Sequence, residues 1–197
     1  MNTTLMFLLS EALFVWVFTV FCFLAFTMYF MVDDTYGIFN RKTFDLLIGA
    51  MNVLGVRPKY IFADLDGMHK LNDIHTHAGV DRMIRAALNS FRSGHSLRVP
   101  DLVFRYYSGD EFVILVLDGD PMNAARRCLS GLVHYGLNAT VCVADNLGNS
   151  ISGVELMKRN NLRGRIMKHS EVKNAIVGKF DRVELREKLF VYPISNN

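Results

Sequence analysis

Two adjacent acidic residues, Asp110 and Glu111, occupy a short turn between two apolar runs in the middle of the chain. The runs cover residues 102–104 and 112–117, and the turn between them also contains Gly109. Strand-like runs joined by a short polar turn predict a β-hairpin. Neighbouring carboxylates repel each other, so a fold that places them at a sheet end commonly offsets their charge with a cation. If only these residues are considered, the alternative to a cation site is an ordinary acidic turn.

A third carboxylate, Asp64, directly follows a short apolar run at residues 60–63, which predicts a buried strand. A further strand is predicted at residues 138–144, and a terminal strand or strand pair at residues 183–194. Apolar residues at helical spacing predict five helices, the third of which Asp81 can cap. These helices cover residues 40–50, 68–74, 81–91, 121–135 and 154–167.

The central part of this order, β-α-α-β-β-α-β, is typical of the ferredoxin-like arrangement. In that arrangement the first strand neighbours the hairpin, so Asp64 should lie close to the turn that holds Asp110 and Glu111. Carboxylates from two adjacent strands form a compact oxygen site for Mg²⁺, which suits a nucleoside triphosphate substrate. We therefore predict an α+β sandwich with an antiparallel central sheet.

Residues 5–32 are almost entirely apolar, and residues 12–32 are long enough to cross a bilayer as a helix. No polar stripe interrupts this stretch, unlike in the core helix of a soluble domain. A cleaved signal peptide is the alternative, but the basic region and the small-residue cleavage site that it needs are missing. Arg41 and Lys42 follow the stretch and no basic residue precedes it, which predicts that the rest of the chain faces the cytoplasm.

The composition narrows the possible functions further. The formal charge of the 197-residue chain is +3, which is too mild for a nucleic-acid-binding signature. The basic pair Lys158 and Arg159, and the basic residues between 163 and 168, are interpreted as a solvated helix face, with contact to phosphates as the alternative. Cys22, Cys128 and Cys142 show no CxxC spacing, so neither a disulfide framework nor a zinc site is predicted.

Four blocks of residues resemble the motifs of GGDEF domains, the diguanylate cyclases that condense two GTP into cyclic di-GMP. Residues 33–41 look like D-x-L-T-G-L-x-N-R, and residues 64–81 are similar to D-x-D-x-F-K-x-I-N-D-x-x-G-H-x-x-G-D with the spacing intact. Residues 108–112, with the sequence S-G-D-E-F, stand in for the G-G-D-E-F signature that gives the family its name. Lys168 is matched to the lysine of the family's late helix motif. The resemblance covers residues 33 to about 174, and it implies a nucleotidyl-cyclase palm core.

The resemblance implies a metal site and catalytic residues. Asp64 and Asp110, helped by the carbonyl oxygen of Leu65, would hold two Mg²⁺ per active site, with Mn²⁺ as an alternative. Glu111 would be needed for activity, in the activation of the attacking 3′-hydroxyl. His75 and His77 leave a transition-metal site open, although His77 matches a structural histidine of the motif.

The resemblance also implies how GTP is bound. Asn72 and Asp81 would read guanine, because a carboxylate can accept from both N1–H and the exocyclic amine. The small residues Ser108 and Gly109 would let backbone amides approach the phosphates. The cations that would neutralise the triphosphate are Lys168 and Lys70.

One inserted residue accounts for two departures from the family pattern. The position of the family's arginine holds Tyr106, and Arg105 lies one residue earlier. Because side chains alternate on a strand, this slip turns Arg105 away unless a bulge absorbs it. Arg98 and Asp101 resemble the inhibitory R-x-x-D motif that binds product, with one extra residue before Ser108. Tyr107 is the candidate insertion.

The predicted protein has an N-terminal membrane anchor, residues 1–32, and a GGDEF-like catalytic domain, residues 33–197. The resemblance implies a homodimeric diguanylate cyclase anchored by a single pass in the cytoplasmic membrane of a bacterium, with no nucleic-acid partner. A degenerate domain that binds GTP or cyclic di-GMP without turnover is one alternative. A cyclase with another product and a small membrane scaffold are the others.

Overall fold

The computed structural model describes residues 3–92, 101–107 and 109–176. Within these residues the chain forms seven helices and five strands. They are α1 (Thr3–Met31), α2 (Arg41–Val53), β1 (Lys59–Asp66), α3 (Met68–His75), α4 (His77–Arg92), β2 (Leu102–Arg105), β3 (Glu111–Val116), α5 (Pro121–His134), β4 (Asn138–Ala144), α6 (Leu147–Arg159), β5 (Ile166–Lys168) and α7 (His169–Ile176).

The five strands form one sheet in the order β2-β3-β1-β4-β5. All neighbouring strands are antiparallel except β4 and β5, which are parallel. The run β1-α3-α4-β2-β3-α5-β4 matches the predicted β-α-α-β-β-α-β order, and β1 lies between β3 and β4. The predicted α+β fold with an antiparallel central sheet is therefore confirmed.

Helices cover both faces of the sheet, because the side chains of its central strand alternate between two buried clusters. Ile61 of β1 packs in one cluster with residues of α4 and α5, among them Leu88. Phe62 packs in the other cluster with Phe44 of α2 and Met157 of α6. Helix α6 therefore lies on the face to which even-numbered residues of β1 point.

Helix α1 contains a stretch, Ser10–Met31, that is long and apolar enough to cross a membrane and is not buried in the rest of the protein. A signal sequence near the N-terminus meets the same criteria of length and hydropathy, so these criteria alone do not distinguish the two. The start of α2 is fixed to the end of α1 by hydrogen bonds. Asn40 Nδ2 donates to Phe30 O at 2.6 Å, and Thr43 Oγ1 donates to Met31 O at 2.8 Å.

Two of the predicted helices have wrong boundaries. Helix α4 begins at His77, so Asp81 lies inside the helix and does not cap it. Thr76 takes that position, since its hydroxyl accepts a hydrogen bond from the backbone N–H of Gly79 at 3.3 Å. Helix α6 begins at residue 147, where the Asn146 side chain caps it, and it ends at residue 159.

The end of the predicted helix over residues 154–167 is instead an edge strand. The chain passes through a left-handed turn at Gly164, with φ of 70°, and then pairs residues 166–168 with β4. The predicted strand at residues 183–194 lies outside the described residues.

Close packing between α6 and β4 depends on Gly153. A Cβ built on this residue would lie 2.2 Å from the Sγ atom of Cys142, whose side chain is fully buried. We expect Gly153→Ala to lower the free energy of unfolding by roughly 1–3 kcal/mol, because the buried thiol has little room to move. Urea unfolding of the full chain in detergent measures this loss.

Two further variants test the cause of that loss. Gly148→Ala lies on the same helix, where an added Cβ would meet ordinary contacts at 3.6 Å, so this control should be neutral or slightly stabilising. Adding Cys142→Ala should restore part of the stability lost in Gly153→Ala. A double variant no more stable than Gly153→Ala would show that the thiol is not the obstacle.

Candidate active site

Three acidic residues lie at the end of the sheet where β1 finishes and β3 begins. Asp64 lies directly opposite Glu111 in the pairing of these strands. Opposite residues in an antiparallel pair project from the same face, so the two side chains are neighbours. The turn is held beside them because the backbone N–H of Leu65 donates to the carbonyl oxygen of Asp110 at 2.9 Å. We call Asp64, Asp110 and Glu111 the carboxylate cluster.

The electrostatics of the carboxylate cluster favour a bound cation. Burial raises the pKa of Glu111, and the charges of Asp64 and Asp110 raise it further. The pKa of Asp64 is also raised, chiefly by burial, although an ion pair with Lys158 opposes the shift. In addition, Glu111 Oε2 is buried and accepts no hydrogen bond from the residues that the structure describes. A buried carboxylate oxygen without a donor is costly, and a positive ligand would offset that cost.

Lys158, in the last turn of α6, supplies a positive charge to the cluster. Its Nζ lies 2.5 Å from Asp64 Oδ1 and 3.8 Å from Asp66 Oδ1, and the lysine side chain is only 24% exposed. The interpretation of Lys158 as part of a solvated face is therefore wrong. The signal in the sequence was its spacing of four residues from the buried Val154, which places both on one helix face.

Asp66 holds the chain that follows α6 against the end of the sheet. Its Oδ2 accepts hydrogen bonds from the hydroxyl of Thr140 at 2.7 Å and from the backbone N–H of Gly164 at 3.0 Å. Thr140 is fully buried and lies opposite Asp64 in the register of β1 and β4. Asp66 therefore has a structural role that keeps the end of α6, and so Lys158, near the carboxylate cluster.

A second group of polar residues lies on the opposite face of the same sheet end. It is built on the loop of residues 33–38, which we call the Asp33 loop. Asp33 Oδ1 accepts from the backbone N–H groups of Thr35 and Tyr36 at 3.1 and 3.0 Å. Its other oxygen, Oδ2, pairs with Arg105 Nη1 at 2.8 Å. One carboxylate thus fixes both the loop and the arginine at the end of β2.

Tyr36 connects this loop to α4 and to the turn that contains Gly109 and Asp110, which we call the signature turn. Its hydroxyl donates to Asp81 Oδ1 at 2.9 Å, and the guanidinium carbon of Arg105 lies 5.0 Å from the centre of its ring. A Cβ built on Gly109 would lie 3.0 Å from the Tyr36 hydroxyl and 3.3 Å from Arg105 Nη2. The absence of a side chain at Gly109 is therefore what allows tyrosine, arginine and turn to pack together.

The extra residue before the signature is absorbed in the turn. Arg105 pairs with Phe112, and the backbone N–H of Tyr106 donates to Glu111 O at 2.9 Å, so both strands keep their register up to the turn. Arg105 points to the Asp33 loop, whereas Tyr106 packs on the other face against Phe44, with ring centres 5.6 Å apart. No bulge interrupts the described residues 102–106, so the extra residue lies between Tyr106 and Glu111.

The remaining predicted binding residues are more scattered. Asn72 is half-buried on α3, and Lys70 is exposed on the same helix. Lys168 is exposed on β5 and pairs with Val143, three residues along β4 from Thr140. At roughly 3.3 Å per residue, Lys168 is displaced along the sheet from the carboxylate cluster.

The predicted product-binding motif is only partly described. Asp101 is buried just before β2. Arg98 and Ser108 lie outside the described residues.

The site fits a metal–nucleotide complex better than a metal held by protein alone. Within residues 3–92, 101–107 and 109–176, no three His, Cys, Asp or Glu side chains converge to hold a metal ion. The histidine alternative at His75 and His77 therefore has no support in the described structure. Mg²⁺ typically takes one or two carboxylates and completes its shell with water and phosphate oxygens. Asp64 and Asp110 can supply such a pair.

The buried charge of Glu111 predicts that its removal stabilises the protein. In the absence of nucleotide and divalent cation, Glu111→Gln should raise the Tm at pH 7.5 by about 2–4 °C, or roughly 1 kcal/mol. Because folding raises the pKa of this acid, the gain is full above the folded pKa. It should vanish as the pH falls below the ordinary glutamate pKa of about 4.3. Thermal unfolding monitored by circular dichroism measures both effects.

Glu155→Gln is a matched control, because Glu155 is exposed on α6 and its carboxylate lies 3.9 Å from Arg159. Such exposed pairs contribute little, so its Tm should stay close to that of the wild type. A Glu111→Gln protein that is less stable than the wild type at pH 7.5 would contradict the assignment of an unsatisfied buried charge.

Comparison with protein-family models and with curated proteins finds no significant match. Solved structures do match. The coiled coil and GGDEF domain of DgcB from Caulobacter crescentus, in complex with c-di-GMP, aligns with a TM-score of 0.65 at 15% identity, over 81% of this chain and 96% of that one. Diguanylate cyclase SiaD from Pseudomonas aeruginosa, in complex with its activator SiaC, aligns with a TM-score of 0.61 at 18% identity, over 80% and 69%.

A third similar structure, the S helix-GGDEF-EAL part of Vibrio cholerae LapD bound to c-di-GMP, aligns with a TM-score of 0.56 at 14% identity. That alignment covers 71% of this chain and 37% of the other. At sequence identities of 14–18%, the similarity to these structures shows a shared fold. The chain has the fold of GGDEF domains, the fold on which diguanylate cyclases are built.

Proposed function

We propose that the protein is a diguanylate cyclase that condenses two GTP into cyclic di-GMP and releases two pyrophosphates. The observation that carries the proposal is the carboxylate cluster, in which Asp64 faces Glu111 and the turn of Asp110 is bonded to β1. The GGDEF fold supports it, because diguanylate cyclase SiaD shares that fold. The location of Asp81 at the same sheet end supports it further, because the base and the phosphates of one nucleotide could then be bound together.

Each subunit would bind one GTP across the end of the sheet. Asn72 and Asp81 would bind guanine, and the Asp81 carboxylate would accept from N1–H and from the exocyclic amine. The triphosphate would extend toward the carboxylate cluster. Lys158 would shift its ammonium group from Asp64 to the phosphate oxygens, a role for which its position is better than those of Lys70 and Lys168.

Asp64 and Asp110, with the carbonyl oxygen of Leu65, would hold Mg²⁺ together with the triphosphate. The ion would supply charge stabilisation on the phosphates and acidify the attacking hydroxyl. Glu111 would accept the proton of the 3′-hydroxyl, and its raised pKa suits it to that task. Mn²⁺ is an alternative metal for the same oxygen ligands.

The reaction requires two subunits that face each other. The 3′-oxygen of one GTP would attack the α-phosphorus of the partner's GTP, forming a new P–O bond. The bond to the bridging oxygen breaks and pyrophosphate leaves in line with the attack. The same step in the opposite direction closes the ring. A homodimer is therefore part of the proposal.

The same proposal places residues 1–32 in a membrane as a single-pass anchor and residues 33–197 in the cytoplasm as the catalytic domain. Helix α1 is long and apolar enough to span a bilayer. The basic residues Arg41 and Lys42 after it favour the cytoplasmic orientation, in the inner membrane of a bacterium. Anchoring in two dimensions would raise the local concentration of subunits and so favour the dimer.

Product analysis tests the activity directly. The full chain in detergent is incubated with Mg²⁺ and labelled GTP or ATP, and products are identified by mass spectrometry. We expect cyclic di-GMP from GTP and no cyclic dinucleotide from ATP. Asp110→Asn should lower the rate at least a hundredfold, as expected for the loss of a group that stabilises transition-state charge.

Asp145→Asn is the control for a lost carboxylate. Asp145 is exposed and pairs with Lys59 at 2.6 Å, away from the carboxylate cluster, so the rate should stay within about twofold of the wild type. A different cyclic product, or equal rates for the Asp110→Asn variant and the wild type, would refute the proposed reaction.

A second candidate function is a module that binds GTP or cyclic di-GMP without turnover. The ion pair between Lys158 and Asp64 favours it, because a lysine on a metal ligand can replace the metal. Retained nucleotide binding by the wild type without any product would favour this module.

Anchoring predicts a concentration effect. At equal low concentration, the fragment of residues 33–197 should cyclise GTP at least about tenfold more slowly than the full chain confined to vesicles, because confinement raises the effective subunit concentration. The difference in cyclisation rate between the fragment and the full chain should disappear as the fragment concentration rises. Equal rates at low concentration would show that α1 does not promote dimerisation.

A further inference from the structure

Tyr36 joins three segments of the site through a single side chain. Its ring is only 3% exposed and packs against Phe112, with ring centres 5.9 Å apart. Arg105 covers the ring, and the hydroxyl reaches Asp81 Oδ1 at 2.9 Å. The tyrosine is therefore not a surface residue that happens to meet Asp81, but a buried part of the sheet end.

The position of Tyr36 is fixed by several independent contacts. The Asp33 loop closes on itself, since the backbone N–H of Gly37 donates to Asp33 O at 2.8 Å. Arg85, on α4, donates from Nε to the carbonyl oxygen of Thr35 at 2.8 Å. The loop that carries Tyr36 is thus tied to the helix that carries Asp81, and the hydroxyl and the carboxylate are held in register.

The hydroxyl of Tyr36 also stays protonated, so it acts as a constant donor. Burial raises the pKa of this phenol, and the hydrogen bond to the Asp81 carboxylate raises it further. A donor fixed on Oδ1 limits rotation of the carboxylate, while Oδ2 and the second lone pair of Oδ1 remain available to a ligand.

We propose that Tyr36 is a positioning residue that orients the Asp81 carboxylate for two-point recognition of guanine. The inference rests on the proposed function, because it requires that Asp81 binds the base. Two-point binding needs both carboxylate oxygens in the plane of N1–H and the exocyclic amine. Binding through N1–H alone, as for hypoxanthine, tolerates rotation of the carboxylate. Tyr36 therefore contributes to the distinction between guanine and hypoxanthine.

Tyr36→Phe tests this role, because it removes the hydroxyl and keeps the ring under Arg105. Binding of GDP and IDP to the full chain in detergent with Mg²⁺ is measured by titration calorimetry, since neither diphosphate can release pyrophosphate. We expect the Kd of GDP to rise about tenfold, as for the loss of one hydrogen bond in a site. The Kd of IDP should change by less than about twofold, so the preference for GDP should fall.

Tyr60→Phe is the matched control, on β1 in the part of the sheet away from the carboxylate cluster, and it should leave both constants unchanged. Asp81→Asn completes a double-mutant cycle. In that background, Tyr36→Phe should have less than a twofold effect on GDP binding. Circular dichroism verifies that each variant is folded.

The outcomes separate this inference from the proposed function. If the wild type binds GDP and Tyr36→Phe keeps the same preference over IDP, the positioning role of Tyr36 is refuted and the proposed function stands. The positioning role is also refuted if Tyr36→Phe weakens GDP binding by the same factor in the wild-type protein and in the Asp81→Asn variant. A wild type that binds neither nucleotide overturns the proposed function together with the inference.

Discussion

The partly buried pair of like charges, Asp64 opposite Glu111, is the constraint on which the rest of the site depends. Antiparallel pairing of β1 and β3 puts both carboxylates on one face, and burial raises the pKa of each. Such an arrangement persists only if nearby positive charge offsets it. Lys158 does so for Asp64, and Asp66 keeps the end of α6 within reach by binding the chain that follows the helix.

The signature turn separates this charged face from a second group of residues on the other face. There Asp33 pairs with Arg105, and Tyr36 links the turn to Asp81. Gly109 is the point of contact, since any side chain on it would displace the tyrosine hydroxyl. The two faces are therefore not independent, because a change in the turn would move both the carboxylates and the residues near the base.

The sequence predicted this sheet end well where simple periodicity governs. Alternation and strand order were enough to place Asp64 beside Asp110 and Glu111, because antiparallel pairing leaves few other registers. The interpretation of Lys158 was wrong, because helical spacing places it on one face with Val154 but does not show which residues of the sheet that face meets. Arg105 could not be settled, because strand patterns do not show whether an extra residue enters the strand or the turn.

The most direct test of the account is a crystal structure of the chain with a non-hydrolysable GTP analogue and Mg²⁺. We expect guanine on Asp81, beside the Tyr36 hydroxyl, and the metal on Asp64 and Asp110. Lys158 should then contact the triphosphate. An analogue bound elsewhere, or a nucleotide at this sheet end with Lys158 still paired to Asp64 and no metal on the carboxylates, would contradict the account.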